Sequence, residues 1–334
     1  MGAITNWSDR TVFVTGCSGF VGCWLLQAVC GTGAEVVGLC RNDVQARATL
    51  SEFGLDERII LIQGSVTDGP SLQRILREYR VDTIFHLAAL SNVDAAREHP
   101  DQAFQTNIEG TWNVLEAARA SGQPVKVLLA STDMVYAATG DLPFTEASAV
   151  SALNPYAASK VCAELVAKSY QRTYGIPVCI ARTSNLYGGG DSTFQRIIPG
   201  TIRAVMRGEA PVINSDGRPE RDYLYVEDAV TGYMALAEAM GQRELGGQTF
   251  NFSAASPVSV SKIVDTILTL MERTDLKPRV LGRCANELSV RHSSSIKASQ
   301  ELGWSASTTL DTGLKKTIAW YGAHKNEMRM EAQN

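Results

Sequence analysis

The sequence has no Cys-x-x-Cys pair among its seven cysteines, no excess of positive charge, and no apolar run long enough to cross a bilayer. Each absence removes a class of protein. Cys17, Cys23, Cys30, Cys40, Cys162, Cys179 and Cys284 are scattered and odd in number. Neither a disulfide framework nor a zinc site fits that pattern, and reduced buried thiols in a cytoplasmic protein are expected. The histidines His86, His99, His292 and His324 lie far apart, so structural or surface roles suit them better than metal ligation, and no metal is expected. A net charge of −4 offers no field for gripping nucleic acid or an anionic membrane. A membrane-spanning helix needs about 20 apolar residues, whereas candidates such as Val125–Ala130 are short and strand-like. The first residues lack the basic flank and apolar core of a secretory leader, and Asn6 stands where a myristoylation motif wants Ser or Thr.

What is present is ordinary globular material, 45% hydrophobic and 20% charged in 334 residues, enough for one large or two modest domains. Strand-like runs at Thr11–Thr15, Glu35–Cys40, Ile59–Gln63, Thr83–Leu87, Val125–Ser131 and Val178–Arg182 alternate with amphipathic stretches. Those stretches are Gly19–Cys30, Pro70–Tyr79, Asp101–Ser121 and Pro155–Tyr174. Such alternation predicts a Rossmann-type α/β fold, a doubly wound parallel sheet covered on both faces. After about residue 185 Gly and Pro break the regularity, which predicts a smaller, irregular α/β lobe that contacts substrate. The expected division is a dinucleotide-binding domain over residues 1–184 and a mainly substrate-binding lobe over 185–334, with the chain free to cross between them. The polar tail after Trp320 is expected to fray.

The first strand runs into Gly16-Cys-Ser-Gly19-Phe-Val-Gly22 and a helix follows. In that setting Gly16 permits a tight turn, Gly19 lets backbone approach a pyrophosphate, and Gly22 allows close helix–sheet packing. The unpaired N–H groups and dipole of the helix start favour the phosphates. The second strand should end at the residue that reads the adenosine ribose. An acidic residue there would suit NAD, but this chain has Cys40 followed by Arg41-Asn42. A guanidinium can pair with the 2′-phosphate of NADP, so the cofactor is NAD(P) with a lean to NADP. A solvated loop charge is the alternative for Arg41.

Tyr156-Ala-Ala-Ser159-Lys160 opens a helix behind Asn154-Pro155, which puts Tyr156 and Lys160 one turn apart on one face. A free tyrosine has a pKa of about 10. A neighbouring lysine cation, with an oxidised nicotinamide, would bring the phenol toward working pH. Tyr156 could then take a proton from a sugar hydroxyl as hydride leaves the carbon. Thr132, at the end of the fifth strand, could share the hydrogen bond to the same oxygen.

These residues, taken together, resemble the extended short-chain dehydrogenase/reductases that modify nucleotide sugars. The matching segments, in order, are Thr15–Gly22, His86-Leu-Ala-Ala89, Asn107-Ile-Glu-Gly110-Thr, Ser131-Thr-Asp133-Met-Val-Tyr136 and Tyr156-x-x-x-Lys160. Arg182-Thr-Ser-Asn185-Leu-Tyr187-Gly188 and Arg221-Asp-Tyr-Leu-Tyr-Val-Glu-Asp228 complete the set. Asn185-Leu-Tyr-Gly-Gly-Gly-Asp191 and Ile198-Pro199-Gly-Thr-Ile-Arg203 are similar to CDP-glucose and GDP-mannose 4,6-dehydratases. The resemblance implies cofactor contacts from Gly16, Ser18, Gly19, Phe20, Val21, Gly22 and Arg41. It adds Ser65, Val66, Leu87, Ala88, Ala89 and Asn107, with Tyr156 and Lys160 at the reactive end. It implies catalysis by Thr132, Asp133, Tyr156 and Lys160, and binding of a nucleotide-diphosphate sugar by Asn185, Arg221 and Arg291. It also implies a homodimer formed through the stretches near Asp101–Ser121 and Pro155–Tyr174.

Three departures stand out. The acidic residue after the second strand is missing. Ser65 replaces an aspartate often found in the segment that meets adenine. The third bears on the reaction: in the 4,6-dehydratases an aspartate protonates the departing C6 hydroxyl while a glutamate or lysine removes the C5 proton. Asp133 fills the first role, but Met134 occupies the place of the base. The residues therefore favour a 4-epimerase that works through a transient 4-keto sugar, with a 4,6-dehydratase as the alternative. A keto-sugar nucleotide reductase and a non-catalytic dinucleotide sensor rank lower.

Overall fold

Alternation of side chains along the first strand decides where the core lies. In β1 (Thr11–Thr15) Phe13 packs with Leu72, Leu76, Val114 and Leu115 on one face of the sheet, while Val12 and Val14 pack with Leu25, Leu26 and Leu236 on the other. A strand apolar on both sides needs helices on both sides. The computed structural model describes residues 6–137, 141–152, 154–242, 245–283 and 288–324, so Cys284 and the tail beyond 324 lie outside the described residues.

The chain continues through α1 (Phe20–Cys30), β2 (Glu35–Cys40), α2 (Asp43–Glu52), β3 (Ile60–Gln63), α3 (Gly69–Glu78) and β4 (Thr83–His86). Next come α4 (Val93–Glu98), α5 (Pro100–Phe104), a π-helical turn (Gln105–Glu109), α6 (Gly110–Ala120) and β5 (Lys126–Thr132). A 3₁₀ turn (Asp133–Val135) leads to α7 (Pro155–Tyr174), β6 (Val178–Thr183) and β7 (Asn185–Tyr187). The later elements are α8 (Ile197–Met206), β8 (Val212–Ile213), β9 (Glu220–Arg221), β10 (Tyr223–Tyr225), α9 (Val226–Gln242), β11 (Thr249–Phe252) and β12 (Val258–Ser259). The last are α10 (Val260–Leu270), β13 (Arg279–Val280), β14 (Val290–Arg291), α11 (Ile296–Leu302) and α12 (Leu310–Ala323).

Seven strands form one parallel sheet in the order β3-β2-β1-β4-β5-β6-β11. This is the doubly wound Rossmann arrangement expected from the sequence, with one strand added beyond β6. Its winding reverses between β1 and β4, so the loops after those strands diverge and leave a crevice at their carboxyl ends. The added strand comes from late in the chain. Residues 226–252 return to the sheet through α9 and β11, although 184/185 separates β6 from β7.

The second lobe is built from short ladders, β7 with β10, β12-β9-β14, and β13 with β8, around Tyr187, Ile198, Ile202, Ile263 and Leu314. Phe20 and Trp24 of α1 pack against this second core, and Trp24 adds a hydrogen bond. Trp24 Nε1 of α1 donates to the Gly189 carbonyl at 2.8 Å, and a Cβ on Gly189 would overlap the ring of Trp320.

Local chemistry sets the helix starts. Asn42, Asp68, Asn92 and Asn154 each accept a backbone N–H of the first turn, and Pro70 and Pro155 occupy first-turn positions that need no donor. Two elements differ from the sequence expectation. Helix α2 was not anticipated, because only Ala46 and Leu50 of its residues are buried and its apolar periodicity is weak. The stretch 101–121 is not one helix: a π turn interrupts it and turns Asn107 inward, where the amide bonds the Leu90 backbone and Ser159.

His86 ends β4 under this turn and is buried. Thr111 Oγ1 donates to the Asn107 carbonyl at 2.6 Å and so accepts from His86 Nε2–H at 3.1 Å. Thr15 Oγ1 accepts the Ala88 N–H and so donates to Nδ1 at 2.7 Å. Nε2 therefore carries a hydrogen, and in the neutral ring Nδ1 accepts from Thr15. Burial, with Lys160 adding to it, pushes the imidazole pKa from 6.5 down to about 3. A histidine depressed on folding contributes stability above 6.5 that is lost progressively as pH falls toward 3. The urea midpoint should therefore drop across that window, and a His86→Gln variant should show a flatter pH dependence over it.

Candidate active site

The loop after β1 is shaped by backbone contact. Gly16 has φ +71°, and a Cβ there would sit 2.8 Å from the Ala88 nitrogen. A Cβ on Gly22 would lie 2.6 Å from the Cys17 carbonyl oxygen and closer still to that of Gly16. Gly19 begins α1 with no side chain capping it, so the first N–H groups of the helix are presented to the crevice. Such a cradle accepts a pyrophosphate, and the glycines it needs are the ones present. Cys17, inside the loop, is buried with its thiol pushed up to about 12, chiefly by burial.

A cavity of about 1130 Å³ runs from this loop into the second lobe. Gly16, Ser18, Gly19, Phe20, Val21, Gly22, Arg41, Ser65, Val66, Leu87, Ala88 and Ala89 line its first part, and Thr132, Tyr156, Lys160, Asn185 and Arg221 line the middle. Three expected site residues are not on its wall. Asn107 is spent on the bonds described above, and Thr106 faces the cavity in its place. Asp133 is buried behind the wall formed by Thr132 and Met134. Arg291 pairs in register with Arg221 across the β9–β14 ladder and acts electrostatically on Asp133 from there. Ser65 makes a local turn with Thr67 (Oγ to Oγ1 2.8 Å), and Asn113 holds the Val66 carbonyl at 3.1 Å. Arg41 is exposed at the end of β2.

At the reactive centre, Tyr156 lies in the first turn of α7 and Lys160 one turn later, and both are buried. The two side chains have different partners in the fold. Lys160 Nζ donates to the Ala130 carbonyl at 2.9 Å, and burial lowers its pKa to about 8 against the opposing pull of Glu164. Tyr156 is pushed up to about 12 by burial; the cation that opposes the shift is Arg196, followed by a hydrogen bond to Thr132. Burial dominates both groups, and the lysine's charge is directed at a peptide carbonyl.

Arg196 is a cation on the cavity wall that sequence reasoning did not single out. Its Nη1 is pinned at 3.0 Å to Asp191, a buried carboxylate whose other oxygen accepts the Thr193 N–H at 3.0 Å. Beyond it Arg203 stacks on Phe194, with the guanidinium carbon 4.3 Å from the ring centre. The exposed Glu209 and Asn214 close the far end of the cavity. The signal was the Gly-rich run to Asp191 followed by arginines spaced along the start of α8, but the ion pair itself appears only in three dimensions.

Asp133 and Met134 differ sharply. The Asp133 carboxyl is pushed from 3.8 up to about 6 by burial, opposed first by Arg291. Its Oδ2 has no hydrogen-bond partner among the described residues. Met134 packs with Leu90 and Val93 against the cluster that contains Tyr156.

The match to the GDP-mannose 4,6 dehydratase family model covers residues 13–317. The chain belongs to that family. Within it, the dTDP-glucose 4,6-dehydratase of Neisseria meningitidis is 31% identical over 336 residues, spanning 93% of each chain. The structure of a dTDP-glucose 4,6-dehydratase from Streptomyces venezuelae, with NAD and TYD bound, superposes with a TM-score of 0.85 at 27% identity. That superposition covers 95% of this chain and 98% of the other. An epimerase from Methanothermobacter thermautotrophicus gives a TM-score of 0.88 at 27% identity, covering 98% of this chain and 95% of that one. The GDP-mannose 4,6 dehydratase family thus places this enzyme in the nucleotide-sugar epimerase/dehydratase branch of the extended short-chain dehydrogenase/reductases, NAD(P)-dependent enzymes of this fold. Among the described residues no helix is long and apolar enough to cross a membrane, and no group of His, Cys, Asp and Glu is placed to hold a metal.

A Gly22→Ala substitution should lower dinucleotide affinity at least about tenfold, because helix and phosphate loop can no longer approach. Quenching of tryptophan fluorescence on titration with NAD and NADP measures this, and circular dichroism verifies that the variant is folded.

Proposed function

We propose that the protein is a nucleotide-sugar 4,6-dehydratase that oxidises its substrate at C4 before expelling water from C6. The observation that carries this reading is the buried carboxyl of Asp133, directly behind the wall residues Thr132 and Met134, with Oδ2 lacking a hydrogen-bond partner among the described residues. Burial favours its protonated form. A proton donor is what departure of the C6 hydroxyl requires, and simple epimerisation has no use for one. The names of the relatives support the same choice, which displaces the epimerase preferred from sequence alone.

The nicotinamide cofactor, when bound, supplies the hydride acceptor and later the hydride donor. Tyr156 takes the proton of the C4 hydroxyl while Thr132 holds the same oxygen. Lys160 anchors the start of α7 to the Ala130 carbonyl and keeps a positive charge near the phenol. Arg196 lowers the cost of the phenolate. The C4 carbonyl acidifies the C5 proton, which passes to solvent. Asp133, hydrogen-bonded to Thr132 on the cavity wall, supplies a proton to the C6 hydroxyl, the C6–O bond breaks and one water leaves. The hydride taken from C4 ends on C6 as a solvent proton returns to C5. Arg221 and Asn185 hold the diphosphate, with Arg291 behind Arg221. Arg41 reads a 2′-phosphate, so NADP is preferred, although the Streptomyces relative carries NAD. An Arg41→Ala variant should lose that preference.

A second reading, the 4-epimerase, rests on Met134. A thioether packed among apolar side chains cannot accept the C5 proton, and epimerisation needs no such base. Mass spectrometry after incubation with CDP-, GDP-, UDP- and dTDP-sugars separates the two. Loss of one water is expected, whereas an isomer of unchanged mass would replace the proposal with the epimerase. Tyr156→Phe should lower kcat by about 10²–10⁴-fold in either case. Met134→Glu, by adding a base, should raise the rate of water loss.

The protein is proposed to be a cytoplasmic homodimer. Phe104, Trp112, Leu165 and Tyr174 are exposed apolar side chains on α5, α6 and α7, the helices of the expected interface. Sedimentation equilibrium should give twice the chain mass, and Trp112→Glu should weaken association.

A further inference from the structure

Beneath the catalytic helix lies a buried ion pair that the reaction does not touch. Glu164 is one helical turn beyond Lys160 on α7, and its carboxylate is bound in a fork by Arg182 of β6, Nε to Oε1 at 2.9 Å and Nη2 to Oε2. Both side chains are almost wholly buried, 3% and 1% exposed. Glu164 Oε1 also accepts the hydroxyl of Ser131 at 2.6 Å, from the β5 residue that precedes Thr132. On its far side Arg182 lies over the ring of Tyr136, 4.8 Å from the centroid, and the Tyr136 hydroxyl donates to Asn251 of β11 at 2.6 Å.

Two apolar residues of the same volume would stabilise this seam about as well, since desolvating two ions offsets their attraction. Something other than stability accounts for the pair, and its position indicates what. The carboxylate is fixed between the end of β5, which carries Thr132 and the Ala130 carbonyl, and the helix that carries Tyr156 and Lys160.

We propose that Glu164, clamped by Arg182, is a positioning residue that keeps Lys160 cationic and holds the end of β5 against the first turns of α7. Few other groups compete for this role. The imidazole of His86, from β4, is neutral in its hydrogen-bonded tautomer. Asp133, from the 3₁₀ turn, acts on Tyr156 and is balanced by Arg291 and Arg221. Tyr156 on α7 is neutral at working pH, and Asp94 and Asp101 of α4 and α5 are exposed. Glu164 follows Lys160 by one turn of α7, and the two side chains engage neighbouring residues of β5, Lys160 the Ala130 carbonyl and Glu164 the Ser131 hydroxyl. Burial and Glu164 are accordingly the two influences on Lys160, in opposite directions.

Only the kinetic consequence rests on the proposed function. The test therefore reads Lys160 itself. In the cofactor-free full-length protein labelled with [¹³Cε]lysine, the Lys160 resonance is assigned by its loss in Lys160→Met and followed against pH. In Glu164→Gln, and in the double variant Glu164→Gln/Arg182→Met that leaves no unpaired cation, the titration midpoint should fall by about one pH unit. The alkaline limb of kcat/KM should fall with it on any nucleotide sugar that is turned over. A midpoint that stays in place in a folded variant overturns the proposal, and so does failure of both variants to fold, which would assign the pair to stability. The resonance titrates whether or not a substrate has been found, so an unsuccessful substrate search leaves this test standing.

Discussion

Asp133, Tyr156, Lys160 and Glu164 are held out of water at the carboxyl end of β5, where solvent would serve each of them better than protein does. Everything around the site follows from having to keep them there. The ammonium is given a peptide carbonyl, the carboxylate of Glu164 an arginine and a serine, and the phenol a threonine and a more distant guanidinium. Apolar burial on both faces of a seven-stranded sheet offsets the cost. The dominant effect on every one of these groups with a resolved shift is desolvation, which drives Asp133 and Tyr156 up and Lys160 down. All three are thereby moved toward their neutral forms, and the charges brought close decide how far.

The parts of this arrangement carried by one local segment were legible in the sequence. The glycines between β1 and α1, the Tyr-x-x-x-Lys turn of α7 and all of the first six strands were readable to within a residue, because local spacing and patterning impose their geometry. The parts that depend on distant residues meeting were not. Arg196 with Asp191 and Glu164 with Arg182 join positions whose pairing no periodicity announces. Asn107 sits in a matching motif, yet the π turn rotates it into the interior and offers Thr106 to the cavity. The bond from Lys160 to the Ala130 carbonyl was not legible for a related reason, since sequence fixes the helix face but not the carbonyl of the neighbouring strand that meets the ammonium.

Adjacent residues 133 and 134 summarise the chemical tension in this member of the family. Under the proposed reaction Asp133 is the acid that elimination of the C6 hydroxyl calls for, while Met134 is a non-basic side chain where the resemblance to the 4,6-dehydratases leads one to expect a base. Kinship with enzymes named as dehydratases and with a similarly folded epimerase reflects how little separates the two outcomes once C4 has been oxidised. The scaffold, the dinucleotide loop and the first proton transfer are common to both, so divergence can be confined to one short turn after β5.

The tie between Trp24 and Gly189 has a mechanical consequence. The indole of the cofactor helix holds the lobe by a hydrogen bond, and Trp320 fills the space over the same glycine, itself tilted against Phe53. Helix α1, which presents its first N–H groups to the crevice, is thereby tied to the second lobe, so a displacement of that lobe would be felt at the dinucleotide loop.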